Sequence, residues 1–362
     1  MHKKLILFSI AMMLVVTSSC SNTQASELKS TQLFVEKKMF RSDYGIKTTY
    51  HLPSPSYDHA SGEEVLSESM GLMMLHYVYT KNESAFENLR LFCEEKLKNK
   101  PLYVYREGFS INALIDDFRL IEALLLAGET FNNLDYTNQA LAYANVLYET
   151  NTANGHLVDF YDVQYKNRNN FLTLCYANFK LLHKLSTYDS RWQPILDDTK
   201  ATVHSGFISD SFPLYRNHYD YTSNDAYNEE PIHIIHGLKT LLHLAEIEEL
   251  PASSLQWLKQ RIDEGTLYGS YSLTGEALTD VQSTAAYALA ARIAAVVGDR
   301  LLYDQCIQRM EQYKIKDTAH EMFGSFGNAE TKEAYSFDQL TALLAYDAEA
   351  FLNDQNTHLI DQ

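Results

Sequence analysis

Residues 283–298 read STAAYALAARIAAVVG. Wound at 3.6 residues per turn, this stretch is apolar on nearly every face, and a helix with no polar face must be surrounded by protein. Residues 84–98 behave differently. Phe86, Leu89, Phe92, Cys93 and Leu97 share one stripe, while Glu87, Glu94, Glu95, Lys96 and Lys98 solvate the rest. Helices of the first kind belong inside and helices of the second kind cover them. Alternation of the two predicts an all-α chain closed into a toroid of helical hairpins, an (α/α) barrel; a superhelical stack also fits the periodicity.

The same helical spacing recurs at 67–79, 116–129, 135–149, 168–186, 190–203, 229–248, 252–264, 299–313 and 336–352, with a shorter element near 31–39. Short extended pieces are expected near 101–106 and 268–273. Only 14 Gly and 7 Pro in 362 residues argue against an all-β protein built on tight turns. Residues 31–362 contain no Pro- or Ser-rich linker, which predicts a single domain. Thirty basic against 47 acidic residues give a formal charge of -17, and a field of that sign repels the phosphates of nucleic acid.

The first residues have another purpose. Lys3 and Lys4 precede a short apolar run from Leu5 to Val16, and Thr17-Ser18-Ser19 leads to Cys20. The run is too short to span a membrane and has the layout of a signal peptide over 1–19. Ending at a cysteine, it resembles a bacterial lipoprotein signal. This predicts lipidation of Cys20, a polar tether over 20–30, and an extracytoplasmic protein held on the membrane by lipid. Cys93, Cys175 and Cys306 are scattered through apolar patterns, which predicts buried thiols rather than a metal or disulfide framework. His233 and His236 lie one helical turn apart without a third ligand at a metal-binding spacing, so no metal and no cofactor are expected.

The residues that carry chemistry are acids at helix starts beside long connections. Glu68 opens Ser67-Glu68-Ser69-Met70-Gly71-Leu72-Met73-Met74, and Asp116-Asp117 opens another apolar helix. Acids there are favoured by the free amides of the first turn, so capping alone also explains them. The connection 210–231 (DSFPLYRNHYDYTSNDAYNEEP) interleaves Tyr215, Tyr219, Tyr221 and Tyr227 with Asp210, Asp220 and Asp225. Aromatic faces with carboxylates suit sugar rings and their hydroxyls, although tyrosines can equally pack such a loop onto the body.

These blocks resemble glycoside hydrolase family 8. Residues 67–74 are similar to its S-E-G-x-G-x-x-M signature. Ala113 to Ala127 (ALIDDFRLIEALLLA) resembles its A-T-D-x-D-x-D-I-A-x-A-L-L-x-A stretch, with Asp117 on the second Asp, Ile115 replacing the first and Arg119 the third. Asn224-Asp225-Ala226-Tyr227 resembles its Y-D-A motif. The resemblance implies an (α/α)₆ barrel and an inverting, metal-free hydrolase of β-linked polysaccharide, expected to be endo-acting. Glu68 is then the general acid, Asp225 the general base and Asp117 the residue that holds the sugar. Asp116, Tyr105, Tyr215, Asp220, Tyr221 and Tyr227 are expected to bind substrate, Asp220 being also a rival for the base. Ser69 stands where the family has Gly, and its Arg after Y-D-A is missing. With two Trp only, Trp192 and Trp257, both in outer-helix patterns, the subsites would be lined with Tyr. That points to a softer bacterial exopolysaccharide, with the synthase machinery as partner. A polysaccharide lyase using Arg216, Asn217, His218 and Tyr219, or a sugar-binding lipoprotein without turnover, are the alternatives.

Overall fold

A computed structural model describes residues 24–51, 60–223, 226–227 and 231–352. Among them are twelve α-helices. Helix α1 covers 24–39 and closes in a π turn over Val35–Met39. There follow α2 (Ser67–Tyr79), α3 (Glu83–Phe92), α4 (Leu114–Thr130), α5 (Leu134–Asn151), α6 (Phe179–Tyr188) and α7 (Trp192–Ser205). The last five are α8 (Ile234–Ala245), α9 (Ala252–Glu264), α10 (Thr284–Val296), α11 (Arg300–Met310) and α12 (Ser336–Asp347).

Even-numbered helices make the inner ring. Helix α2 packs on α4, α8 on α10, α10 on α12, and α12 back on α2. The 3₁₀ turn Leu174–Tyr176, just ahead of α6, bridges α4 and α8 and completes the circle. Odd-numbered helices lie outside, α3 on α2, α5 on α4, α7 on α6 and α11 on α10, with the end of α1 against α12. The division follows sequence. Eleven of the thirteen residues of α10 are buried, but only Ser254, Leu258 and Ile262 of α9. The chain is therefore an (α/α)₆ barrel: the closed toroid that its alternation of helix types predicts, with the six hairpins that the resemblance implies. Trp192 and Trp257 sit on the outer helices α7 and α9 as expected.

All inner helices for which contacts fix a direction start at one end. Ser67 Oγ donates to Asp116 Oδ2 at 2.9 Å, joining the starts of α2 and α4. Ser69 and Ser336 hydroxyls meet at 2.8 Å, joining α2 and α12. The Ala285 amide donates to Asp338 at 3.0 Å, joining α10 and α12. At the far end His76 Nδ1 lies 2.7 Å from Asp347 Oδ2. Long connections such as 93–113 and 206–233 precede inner helices, and short turns such as 131–133 and 297–299 follow them. One end of the barrel is thus a mouth walled by loops, and the other is a floor of tight turns.

Two sequence expectations need correction. Residues 168–186 do not form one helix: Phe171–Thr173 pairs as a strand with His218–Asp220, and α6 begins only at Phe179, capped by Asn178 on the Leu181 amide. The aromatic and β-branched ends of Phe171-Leu172-Thr173 favour the extended form once a partner strand is present. Residues 24–30, read as tether, are helical and packed. Glu27 pairs with the buried Lys314 at 2.7 Å, and Thr31 in the same helix donates to the Gly324 carbonyl at 2.8 Å.

The His76–Asp347 pair is almost fully buried, at 0% and 4% side-chain exposure. Removing one partner of such a pair leaves a polar group without compensation. Asp347→Ala is expected to cost about 3–5 kcal/mol in urea unfolding, far above a surface substitution; a loss below about 1 kcal/mol would show that the pair contributes little.

Candidate active site

The start of α2 is held from outside its own helix. The Tyr105 carbonyl accepts from the Ser67 amide at 3.0 Å, and Leu66 bridges to Arg106. Ser67 and Ser69 are buried and bonded to α4 and α12 on either side, so Glu68 is the partly exposed residue between them. In a six-membered ring α8 lies opposite α2. From its second turn Lys239 reaches across, placing Nζ 3.7 Å from Glu68 Oε2 and 4.9 Å over the Phe337 ring. Gly71 makes room beneath: a Cβ there would lie 3.1 Å from Arg119 Cγ.

Asp116 faces the same space. It is 6% exposed and accepts from Ser67 Oγ and from Arg119 Nη1 at 2.8 Å. Burial pushes its carboxyl up to about 6; the Arg119 guanidinium opposes the shift and the Glu68 charge adds to it. Asp117 is placed otherwise. It is 1% exposed, accepts from Tyr143 Oη of the outer helix α5, and takes Asn112 Nδ2 at 2.6 Å. Burial holds its carboxyl well above the ordinary range despite both donors. Successive helical residues point about 100° apart, so one acid of the pair faces the mouth and the other the outer ring. The direct sugar contact expected of Asp117 does not fit this placement; the acid beside Glu68 is Asp116.

The tyrosine-rich connection is largely packing. Tyr215 is 2% exposed and edge-on to Phe207 at 5.4 Å, which removes it from any binding surface. Tyr221 stacks on His156 at 4.5 Å, and Tyr227 Oη donates to the Thr202 carbonyl of α7 at 2.6 Å. Both rings are half-buried and engaged in packing against the outer helices. Asp220 Oδ1 accepts from the Thr222 amide and hydroxyl, both at 2.8 Å, and these bonds lower its pKa. Asp225 lies outside the described residues, as does Cys20. Tyr105 remains partly exposed beside the start of α2, edge-on to Phe109 at 5.5 Å.

Four residues of the mouth escaped sequence reasoning. Asp159, 6% exposed, accepts from the Thr173 amide and hydroxyl, both at 2.6 Å, and burial pushes it up to about 7. Tyr176 is raised by burial and by the charges of Asp159, Asp116 and Glu68, which places it among them. Asp338, at the start of α12, is pushed up to about 6 by burial. Lys239 carried the one available signal, a lone cation inside the apolar helix IIHGLKTLLHLA. Below them a narrow cavity of about 50 Å³ runs into the barrel, lined by Ile115, Arg119, Tyr176, Lys239, Arg292 and Phe337 among others. His233 and His236 have ring centres 5.6 Å apart, and burial lowers His236 to about 4, so it is neutral near pH 7. Among the described residues no three His, Cys, Asp or Glu side chains cluster as metal ligands, and Cys93, Cys175 and Cys306 are buried free thiols.

No protein-family model matches the chain. It is similar to an alpha-amylase from Clostridium perfringens, 33% identical over 89% of this chain and 97% of that one, with a TM-score of 0.84. PssZ from Listeria monocytogenes shares the fold at 18% identity, over 87% and 93% of the two chains, with a TM-score of 0.69. So does endoglucanase Cel10 from Klebsiella pneumoniae, a family 8 glycosyl hydrolase, at 15% identity, 89% and 99% coverage and a TM-score of 0.60. A Bacillus subtilis chain described as "Putative lipoprotein YdaJ" is 27% identical over 345 residues, 90% of this chain and 88% of that one.

The buried acids make stability depend on pH. Folded Asp159 keeps its proton up to about pH 7, whereas the unfolded chain releases it near pH 4. Between those values the folded state binds more protons, so the contribution of Asp159 is complete at the acidic limit and is lost as pH rises to 7. Asp159→Asn mimics the protonated acid. It is expected to flatten the stability profile between pH 5 and 7 by about 1–3 kcal/mol in urea titrations; an unchanged slope would contradict the assignment.

Proposed function

The chain belongs to glycoside hydrolase family 8 and hydrolyses glycosidic bonds, and we propose that it does so by inversion on a β-linked bacterial exopolysaccharide, with Glu68 as the general acid. The observation that carries this reading is the meeting of Glu68 and Asp116 at the joined starts of α2 and α4. Burial pushes the Asp116 carboxyl up to about 6, and the Glu68 charge beside it adds to the shift. Lys239 and Arg119 keep the group from becoming an isolated pair of anions.

In the proposed reaction Glu68 protonates the glycosidic oxygen while the anomeric carbon develops positive charge. Asp116 accepts hydrogen bonds from sugar hydroxyls. Asp117 acts as a positioning residue, since its bonds to Tyr143 and Asn112 fix the start of α4 and so the direction of Asp116. The resemblance of Asn224-Asp225-Ala226-Tyr227 supports Asp225 as the base that activates water, with Asp220 as the rival. An inverting pair needs roughly 6.5–9.5 Å between its carboxyls to admit that water. Tyr105, Phe109, Tyr176 and Phe337 offer partly exposed rings for stacking where larger indoles are absent.

The lipoprotein-like leader and the similarity to YdaJ support an extracytoplasmic protein anchored through Cys20. The fold shared with endoglucanase Cel10 supports a polysaccharide substrate, and the synthase machinery that makes it is the partner we assign. The 33% identity with an alpha-amylase favours a second reading, an α-linked glucan. Incubation with β-glucans, β-linked amino-sugar polymers and starch, followed by proton NMR of the first product anomer, separates them. The first reading expects an α-anomer released from a β-linked polymer; an α-anomer released from starch would establish retention on the other substrate class.

Glu68→Gln is expected to lower kcat by about 10³-fold with unchanged circular dichroism; full retained activity would end the assignment of the acid. Asp225→Asn is expected to match that loss while Asp220→Asn stays within about tenfold of the wild type. The reverse order would move the base to Asp220.

A further inference from the structure

We infer that the floor of the barrel faces the membrane and the catalytic mouth faces away from it, so that the enzyme meets polymer that has already left the bilayer surface. This rests on the lipid anchor at Cys20 proposed above, and adds an orientation that the anchor alone does not specify.

The argument starts from where α1 begins. Gln24 Nε2 donates to Tyr303 Oη at 2.5 Å, in the first turn of α11. Gln24 also borders a groove with Tyr79, Asp347 and Phe351, where the end of α2 and the end of α12 come together. Those are the floor ends of two inner helices, opposite the Ser67–Asp116 and Ser69–Ser336 contacts of the mouth. The start of α1 cannot peel away cheaply. Glu27 is paired to Lys314, whose side chain is 1% exposed, and Lys314 Nζ also donates to the Glu27 carbonyl at 2.7 Å. Thr31 is bonded to Gly324 within the protein.

Lengths then decide the orientation. Cys20 precedes Gln24 by four residues, a reach of about 14 Å at full extension. Helix α2 has thirteen residues and α4 seventeen, so the mouth stands about 18–26 Å above the floor before its loops are counted. A mouth-down pose asks the tether to climb the whole barrel wall, which exceeds its reach; a floor-down pose asks nothing of it. Exposed apolar side chains occur at both ends, Leu134, Val297, Leu301 and Phe351 on the floor and Tyr165, Leu278, Val281 and Tyr335 toward the mouth, so they do not choose between the poses.

The test uses the full lipidated chain on vesicles of phosphatidylglycerol and phosphatidylcholine carrying a rhodamine lipid. Cys93, Cys175 and Cys306 are buried, so an engineered surface cysteine takes a maleimide donor selectively. One variant is Ser190→Cys, in the floor turn between α6 and α7; the other is Glu330→Cys, in the connection leading to α12 at the mouth. The expected result is flotation of the wild type, no flotation of Cys20→Ser, and energy transfer from position 190 exceeding that from 330 by about threefold or more, given the helix lengths between them. Equal or reversed transfer with intact flotation would overturn the orientation and leave the anchor standing. Failure of the wild-type chain to float would overturn the anchor itself, and the orientation with it.

Discussion

Closure of the inner ring is the constraint on which the rest depends. Helices such as α10, apolar on all sides, have no stable position except between neighbours, and a ring of six gives each one two inner neighbours and an outer cover. Burying the helix starts would orphan amides and hydroxyls. Ser67 with Asp116, Ser69 with Ser336, and Ala285 with Asp338 answer that need between helices rather than within them. The contacts that close the ring also concentrate carboxylates at one end, and structural demand and chemistry share the same residues.

Concentration of charge in a half-buried mouth brings its own problem. Burial and the neighbouring Glu68 charge both raise the Asp116 carboxyl. The chain answers with cations drawn from separate helices, Arg119 on the helix of Asp116 and Lys239 on the opposite helix α8. Arg119 stands where the family resemblance has its third Asp, and Ile115 where it has the first; two anions have been replaced by a cation and an apolar side chain. The result is a site nearly balanced in charge inside a strongly acidic protein. That balance suits a neutral or weakly charged sugar polymer better than a polyanion.

The asymmetry between long and short connections separates function from attachment. Loops at the mouth carry the short paired strands, Asp159 and the Tyr105 strip, while the floor turns do little beyond reversing the chain. Variation at the mouth therefore leaves the ring intact, as loop-borne sites on a rigid scaffold generally do. Helix α1, with its start pinned at the floor, completes the outer ring.

Most helix positions, the inner and outer kinds, and the acids at helix starts were determined by sequence alone, because each depends on local periodicity and on the amides of one helical turn; the strand Phe171–Thr173 was not, since it forms only against His218–Asp220. Glu68 was legible as an acid at a helix start for that reason, and its role as the acid came from the resemblance of residues 67–74. Tertiary structure decided which acid of Asp116-Asp117 faces the mouth, since a step of one residue turns a side chain through about 100° and only the neighbouring helices say which way is inward. It also decided that Tyr215 is packed away from any binding surface, and that Lys239 and Asp159 join the site from distant parts of the chain. Such convergence has no local signature: it arises only when the ring closes and brings residues 68, 116, 159 and 239 to one end.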